Sequence, residues 1–465
     1  MLPIEPLNPD HKTPLFRQLH DQMKELIASG ALAKGSRLPA TRELAGQIGL
    51  NRTTVSAAYA LLESEGLITG HVGRGSFVAG EPAATPAASF SRSRPSELLF
   101  PLEEFRKSCA EVIASAEAAT ILQLGSPAGY PALRRYLLDG ARAEGVARES
   151  DDILITSGCQ QAFDLLTRTI GQSTVLIEDP VYAGAHNVFE RAGVRLVGIP
   201  VGRDGMDLEA LDRAIAREHA RFVCVTPNFQ NPTGATMPLS ARKNLLAITQ
   251  AGGVTVIEND IYSALRYEGE PIPAIKHLDD TGDTILLRSF SKVAFPGLRV
   301  GWVIAPRPLI ERLTEAKQWS DLHTDQLSQA VLLRFAESGR LERHRERMLV
   351  AGRERLQAAL EACAAHLPAG TRFTRPRGGM NLWVELPAPL DAAELLPRAE
   401  REGVTYLPGR FFAVSRPQPK ALRISFAELT PEEIRSGLAV LGRIFREELE
   451  RVRAFVPAAE AAALV

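Results

Sequence analysis

Residues 284–302 read TILLRSFSKVAFPGLRVGW, a short apolar run that ends abruptly in serine, lysine, glycine and arginine. Near-continuous apolar runs of this length are the pattern of strands buried on both faces of a sheet, as in parallel α/β architectures. Lys292 falls just beyond the strand, with Ser289, Ser291 and Arg299 flanking it. Ligands of open α/β sheets bind at the carboxyl ends of strands, so the lysine stands where an amine is held beside an anion. A Schiff-base lysine next to a phosphate cup has this pattern.

Working outward, the runs 153–156, 174–177, 222–226, 254–258 and 300–305 repeat the apolar signature and alternate with amphipathic helical stretches. In STVLIEDPVYAG (173–184), FVCVTPNFQNPTG (222–234) and VTVIENDIY (254–262), polar, glycine or aromatic residues begin as the strand ends. The expected fold is α/β, with a mostly parallel sheet and flanking helices. From about residue 325 the pattern turns to long helices, and then to MNLWVEL and ALRISF as strands, which predicts a smaller α+β subdomain over about 325–455 and a tail at 456–465.

The first 80 residues are different in kind. A helix beginning at Pro14 puts Leu15, Leu19, Met23, Leu26 and Ile27 on one face, with Gly30 ending it. A short helix follows, opened by Pro39 and closed by Gly49. Asn51 then caps a third helix that turns Val55, Ala58, Leu61 and Leu62 inward. LITGHVGRGSFVA adds two β-branched runs around glycine-rich turns, the pattern of a two-stranded wing. Between Ala31 and Leu62 the ions are Lys34, Arg37, Arg42 and Arg52 against Glu43, a local balance of four minus one. Arg52, Thr53 and Thr54 fall in the first turn of the third helix, where a recognition helix meets base edges and phosphates. Between the two parts, EPAATPAASFSRSRPSE (81–97) lacks periodicity and reads as a linker.

Composition bounds the rest. A chain of 465 residues is too long for one core on a prior of ~150 per domain. Lys and Arg total 54 against 55 Asp and Glu, so any nucleic-acid site must be local. The four cysteines, Cys109, Cys159, Cys224 and Cys363, form no C-x-x-C pair, which argues against disulfide scaffolding and a metal site and for a reducing cytoplasm. MLPIEPLNPD lacks the regions of a secretory signal, and no apolar run nears the ~18 residues of a membrane span, so no membrane partner is expected.

Residues 13–79 resemble the winged helix-turn-helix of the GntR superfamily. The resemblance implies a double-stranded DNA operator, contacted by Arg42, by Arg52, Thr53 and Thr54, and by His71 to Gly73 in the wing. Residues from about 98 to 450 resemble fold-type I pyridoxal-phosphate enzymes, specifically class I and II aminotransferases. By that resemblance Lys292 forms a Schiff base with pyridoxal 5'-phosphate, Asn231 and Tyr262 bind the cofactor's phenolic oxygen, and Tyr182 stacks on its ring. Cys159, Gln160, Ser289 and Arg299 hold the phosphate, and Arg423 binds a substrate carboxylate. Two positions depart from the pattern. Counting back from Tyr262, the family's pyridine-nitrogen aspartate falls on Asn259, with Asp260 next to it and a one-residue shift left open. Leu124 stands where the family often has a tyrosine that reaches the neighbouring subunit. The whole arrangement is similar to MocR-type transcriptional regulators. It implies a homodimer that senses the cofactor, an amino acid or another amine, with an α-amino-acid aminotransferase carrying a DNA-binding appendage as the alternative.

Overall fold

The computed structural model describes residues 4–8, 13–33, 35–71, 75–79, 88–171 and 173–455. The chain divides into two compact units, Met1–Pro86 and Ala87–Val465.

In the first unit, helices Leu15–Ala28, Thr41–Ile48 and Arg52–Ser64 are followed by the antiparallel strands Ile68–His71 and Gly75–Val78. Their apolar stripes converge: Leu19, Met23, Leu44, Val55, Ala58 and Leu62 are fully buried. Each large aliphatic side chain removed from water in this way contributes about 1.5–3 kcal/mol. Leu61, expected to face inward, is only half-buried; Tyr59 takes the inward place and its hydroxyl donates to the Pro39 carbonyl at 2.9 Å. Gly49 closes the second helix in the left-handed region at φ +67°. Asn51 caps the third, its side chain accepting from the Thr53 amide at 3.2 Å.

The second unit is built on eight strands in the order Asp151–Thr156, Gly301–Pro306, Ile285–Ser289, Thr255–Asn259, Phe222–Val225, Thr174–Asp179, Arg195–Gly202 and Gly205–Met206. The five from Ile285–Ser289 to Arg195–Gly202 are mutually parallel. Alternate residues serve two cores. Ile177 and Ile257 pack with Phe163 and Phe189, whereas their neighbours Leu176 and Val256 pack with Leu211 and Leu245.

Three expectations are corrected. The run at 300–305 is a strand, but Gly301–Pro306 lies antiparallel to both neighbours. Its connection from Ser289 is shorter than the dozen or so residues of a parallel crossover. Arg195–Gly202 is an additional strand that Gly198 and Pro200 hid from a reading by apolar run. Finally, residues 88–97 belong to the folded unit rather than to a linker. Ala88–Ser89 pairs with Val404–Thr405, Phe90 is fully buried, and Arg94 ion-pairs with Glu428 at 2.6 Å. A two-residue ladder, a buried aromatic ring and an ion pair fasten a stretch whose Ala, Ser and Pro content reads as a linker. The rest of the expected linker and the tail at 456–465 lie outside the described residues.

The smaller subdomain carries the antiparallel sheet Arg372–Phe373, Asn381–Glu385, Ala421–Ser425 and Leu407–Pro408. Helices Arg340–His366, Ala392–Arg401 and Pro431–Phe455 accompany it.

Candidate functional site

A cavity of about 460 Å³ opens at the carboxyl ends of the parallel strands. It gathers ten of the expected residues: Cys159, Gln160, Tyr182, Asn231, Asn259, Tyr262, Ser289, Lys292, Arg299 and Arg423. A larger cleft of about 930 Å³ elsewhere on the unit contains none of them, so chemistry rather than size identifies the site.

Lys292 lies in the turn Phe290–Lys292, directly after strand Ile285–Ser289. Its Nζ donates to the Ser93 carbonyl at 2.6 Å and stands 5.6 Å from the centroid of the Tyr262 ring. Arg299 adopts a left-handed conformation, φ +53°, that turns its guanidinium toward Ser291 Oγ at 3.4 Å and the Ser157 carbonyl at 3.2 Å. Ser289 Oγ accepts from the Ser291 amide at 3.0 Å.

Helix Cys159–Ile170 begins without a side-chain cap, and Cys159 and Gln160 of its first turn line the cavity. Burial pushes the Cys159 thiol up to about 12, against the pull of Arg299 and Lys292. Gly158 stands at φ +81°, where an L side chain is strained, and a Cβ there would lie 2.4 Å from Arg299 Nη2 and displace that guanidinium. Gln160 Nε2 donates to the Gly184 carbonyl at 2.9 Å. Tyr182 remains 41% exposed at the rim.

Arg423, on strand Ala421–Ser425, is buried and lines the same cavity. Its Nη1 donates to Asn231 Oδ1 at 3.1 Å, Nη2 to the Ser91 carbonyl, and the guanidinium carbon lies 5.1 Å from the Phe412 ring centroid. Nε is buried without a partner. Burial lowers its pKa to about 10, which leaves it charged at neutral pH. Asn231 Nδ2 in turn lies 3.5 Å from the Tyr262 hydroxyl.

The adjacent pair Asn259 and Asp260 separates cleanly. Asn259 lines the cavity; its Nδ2 donates to Thr226 Oγ1 at 3.2 Å and its Oδ1 is buried with no partner. Asp260 does not line it and is corrected from the candidate set. Its carboxylate accepts from Asn228 Nδ2 at 3.0 Å, Ser263 Oγ at 2.9 Å and Arg288 Nε at 3.1 Å. Successive residues of an extended chain point to opposite faces, so one of the two must turn away. Leu124, the other departure, is outside the cavity and 78% exposed.

Sequence reading missed Ser91 and Ser93, whose carbonyls receive Arg423 and Lys292. Main-chain acceptors leave no side-chain signature; Phe90, the one large apolar residue of that stretch, was the available sign that it folds.

In the first unit Arg42, Arg52 and Thr53 are exposed and Thr54 is half-buried, with the last three in the first turn of helix Arg52–Ser64. His71 ends the first wing strand. Gly73 lies outside the described residues. Among the described residues no cluster of metal-ligating side chains occurs, and no helix is long and apolar enough to cross a membrane.

Residues 94–441 match the family model for aminotransferase class I and II, and residues 15–78 that for bacterial regulatory proteins of the gntR family. The uncharacterized HTH-type transcriptional regulator YdcR of Escherichia coli (strain K12) is 30% identical over 93% of this chain and 99% of its own length. The probable rhizopine catabolism regulatory protein MocR of Rhizobium meliloti is 29% identical over 94% of this chain and 95% of its own. The crystal structure of LysN, the alpha-aminoadipate aminotransferase of Thermus thermophilus complexed with N-(5'-phosphopyridoxyl)-L-leucine, superposes with a TM-score of 0.73. It is 37% identical and covers 78% of this chain and 92% of that one. The chain therefore belongs to the class I and II aminotransferase family, in the MocR-like group that carries a gntR-type DNA-binding domain ahead of the aminotransferase fold.

Proposed function

We propose that this chain is a pyridoxal-phosphate-dependent transcriptional regulator that reads an amino acid or another amine in the cavity of its larger unit and DNA with its smaller one. The observation that carries the reading is joint. Lys292 and Arg423 face one cavity, in a chain whose nearly full length aligns with helix-turn-helix regulators.

The donor set fits pyridoxal phosphate. Lys292 Nζ would bind it covalently. The first amides of helix Cys159–Ile170, with Ser289 and Arg299, offer a phosphate the donors and charge it needs, and Cys159 and Gln160 supply that turn. Asn231 and Tyr262 would face the phenolic oxygen, Tyr182 the ring, and Asn259 the ring nitrogen. Arg423 offers a planar bidentate donor to the carboxylate of an amino acid. The cofactor, when bound, supplies a carbon that exchanges amines and a ring that withdraws electrons. Asn259 presents a hydrogen bond without a charge to that ring, so amine exchange is favoured over proton removal at the α-carbon. The site then senses an amine without consuming it quickly.

DNA contacts are assigned to Arg42, Arg52, Thr53 and Thr54, with the wing around His71 and Gly73. A bound amine that prefers one arrangement of the protein shifts DNA affinity by its differential binding. A homodimer in the cytoplasm is the expected form; Leu122, Leu124, Trp319 and Leu322 are exposed apolar side chains that a second copy would cover.

The test uses full-length protein saturated with pyridoxal phosphate. Borohydride reduction and peptide mapping should place the pyridoxyl group on Lys292. DNA fragments selected by the protein from a random pool should then bind with altered affinity when an amino acid that changes the cofactor's absorption is added. A pyridoxyl group on another lysine, or DNA affinity indifferent to every such amino acid, overturns the reading. The second reading, an aminotransferase with an appended reader, is favoured by the likeness to LysN. Keto-acid release at about 1–10³ per second would decide for it.

A further inference from the structure

We infer that the cavity selects an α-amino acid whose side chain is uncharged and apolar, and that Leu407, beside Arg423, is the residue that sets this preference. The inference names the effector class of the site proposed above and rests on that reading.

Arg423 is the middle member of a row of three. Its register partner on one side is Leu407 and on the other Trp383, both across antiparallel ladders of the smaller sheet. Residues directly opposite in such ladders share a face, with about 4.5–5.5 Å between their Cβ atoms, so the three side chains stand together. On the same face Trp383, Phe412 and Ala421 form one buried apolar cluster, and Leu407 packs against it. The Phe412 ring centroid lies 5.1 Å from the Arg423 guanidinium carbon and 5.8 Å from the Trp383 ring. Leu407, Phe411 and Phe412 line the cavity together with Arg423. The wall that flanks the guanidinium is therefore hydrocarbon.

The charges in the cavity lead to the same class. Three cations line it, and in the reading above each has its use: Lys292 for the cofactor, Arg299 for its phosphate and Arg423 for the effector's α-carboxylate. Among the described residues no aspartate, glutamate or histidine lines the cavity. Asp260, next to Asn259 in the chain, is engaged by Asn228, Ser263 and Arg288 instead. A side chain ending in an ammonium group thus meets no carboxylate, and one ending in a carboxylate meets no cation left over. Burying either charge unpaired is costly, whereas hydrocarbon laid against Leu407 and Phe411 leaves water at a gain. Phe411 is 49% exposed, apolar surface that such an occupant covers.

The test titrates full-length protein saturated with pyridoxal phosphate, following both the cofactor's absorption and the heat of binding. Alanine, 2-aminobutyrate, norvaline and norleucine lengthen the side chain one carbon at a time. Lysine and 2-aminoadipate keep the norleucine skeleton and end it in an ammonium group or a carboxylate. Each added carbon should tighten binding by up to about 4-fold. Lysine and 2-aminoadipate should bind at least about 10-fold more weakly than norleucine. Leu407→Lys should weaken norleucine and tighten 2-aminoadipate, reversing their order, and the smaller change Leu407→Ala should flatten the gain with chain length. Lysine-bound absorption verifies loading of each variant, and far-ultraviolet circular dichroism its fold. Wild type that binds lysine or 2-aminoadipate as tightly as norleucine, or gains nothing from alanine to norleucine, overturns the apolar class whatever the variants do. A loaded Leu407→Ala with the wild-type gain, or a loaded Leu407→Lys with the wild-type order, overturns the role of Leu407. Lysine-bound absorption that responds to none of these amino acids overturns the sensing reading, and absence of that absorption the cofactor reading; either takes this inference with it.

Discussion

Replacing Arg423 with glutamine separates recognition of an amino acid from recognition of a bare amine. Arg423 is 4% exposed and already donates to Asn231 Oδ1 and the Ser91 carbonyl, so a carboxylate bound there exchanges two neutral acceptors for an ionic one. Truncating one partner of a buried, hydrogen-bonded charge pair costs about 2–5 kcal/mol, and the two charge-assisted bonds a carboxylate displaces from Arg423 hold the figure to the lower end, about 2–3 kcal/mol. At 1.4 kcal/mol per factor of ten, Arg423→Gln should weaken binding of the responsive amino acid by about 30- to 150-fold. The corresponding decarboxylated amine should bind wild type and variant alike. Removing a buried charge leaves no carboxylate orphaned, because no acid pairs with Arg423, so the fold should tolerate the change. The assay is a spectral titration of cofactor-loaded protein with each compound of the pair. Equal weakening for both compounds, or none for the amino acid, would refute the assignment of Arg423 to the carboxylate.

Other perturbations reach other parts of the molecule. Arg52→Ala should cost about 1–3 kcal/mol of DNA affinity if the side chain reads a base, whereas Arg42→Ala should weaken all sequences alike and flatten the salt dependence; equilibrium binding at several salt concentrations distinguishes them. Asn259→Asp should raise keto-acid release above the wild-type level, measured with the same amino acid. Phe90→Ala should destabilise the larger unit by about 3–5 kcal/mol in denaturant unfolding, a cost no true linker residue incurs. His344 is fully buried with neither ring nitrogen partnered, and burial lowers its pKa to about 4. Its neutral form is native and its charged form is favoured on unfolding, so it contributes stability above pH ~6.5 that is lost as pH falls toward 4. His344→Leu should flatten that acid-side decline in thermal unfolding.

The parts of this molecule that were legible in the sequence are those where side chains carry the signal. Apolar runs marked six of the eight strands of the large sheet, and the residues after them marked the cavity, because burial on both faces and ligand binding at strand ends each demand particular side chains. Strand direction was not legible for Gly301–Pro306, since a run buried on both faces looks the same in either direction and only the length of the connection distinguishes them. Residues 88–97 were misread for a related reason: what they contribute is mostly main chain, a two-residue ladder and the carbonyls of Ser91 and Ser93. The choice between Asn259 and Asp260 turned on which residue ends the strand pointing at the cavity, a matter of one position that spacing from Tyr262 indicated and the neighbours of Asp260 decided.

The Ser91 and Ser93 carbonyls also join the cavity to the start of the larger unit. The stretch they belong to follows directly on the boundary between the two units, at Pro86 and Ala87. Its hold on the larger unit includes the same two cations that the cavity's occupants would engage. An occupant that draws Lys292 and Arg423 to itself leaves both carbonyls without those donors. Occupancy at Lys292 and Arg423 is thereby felt in the main chain of residues 91–93, a stretch that its ladder with Val404–Thr405 and the buried Phe90 still fasten to the larger unit.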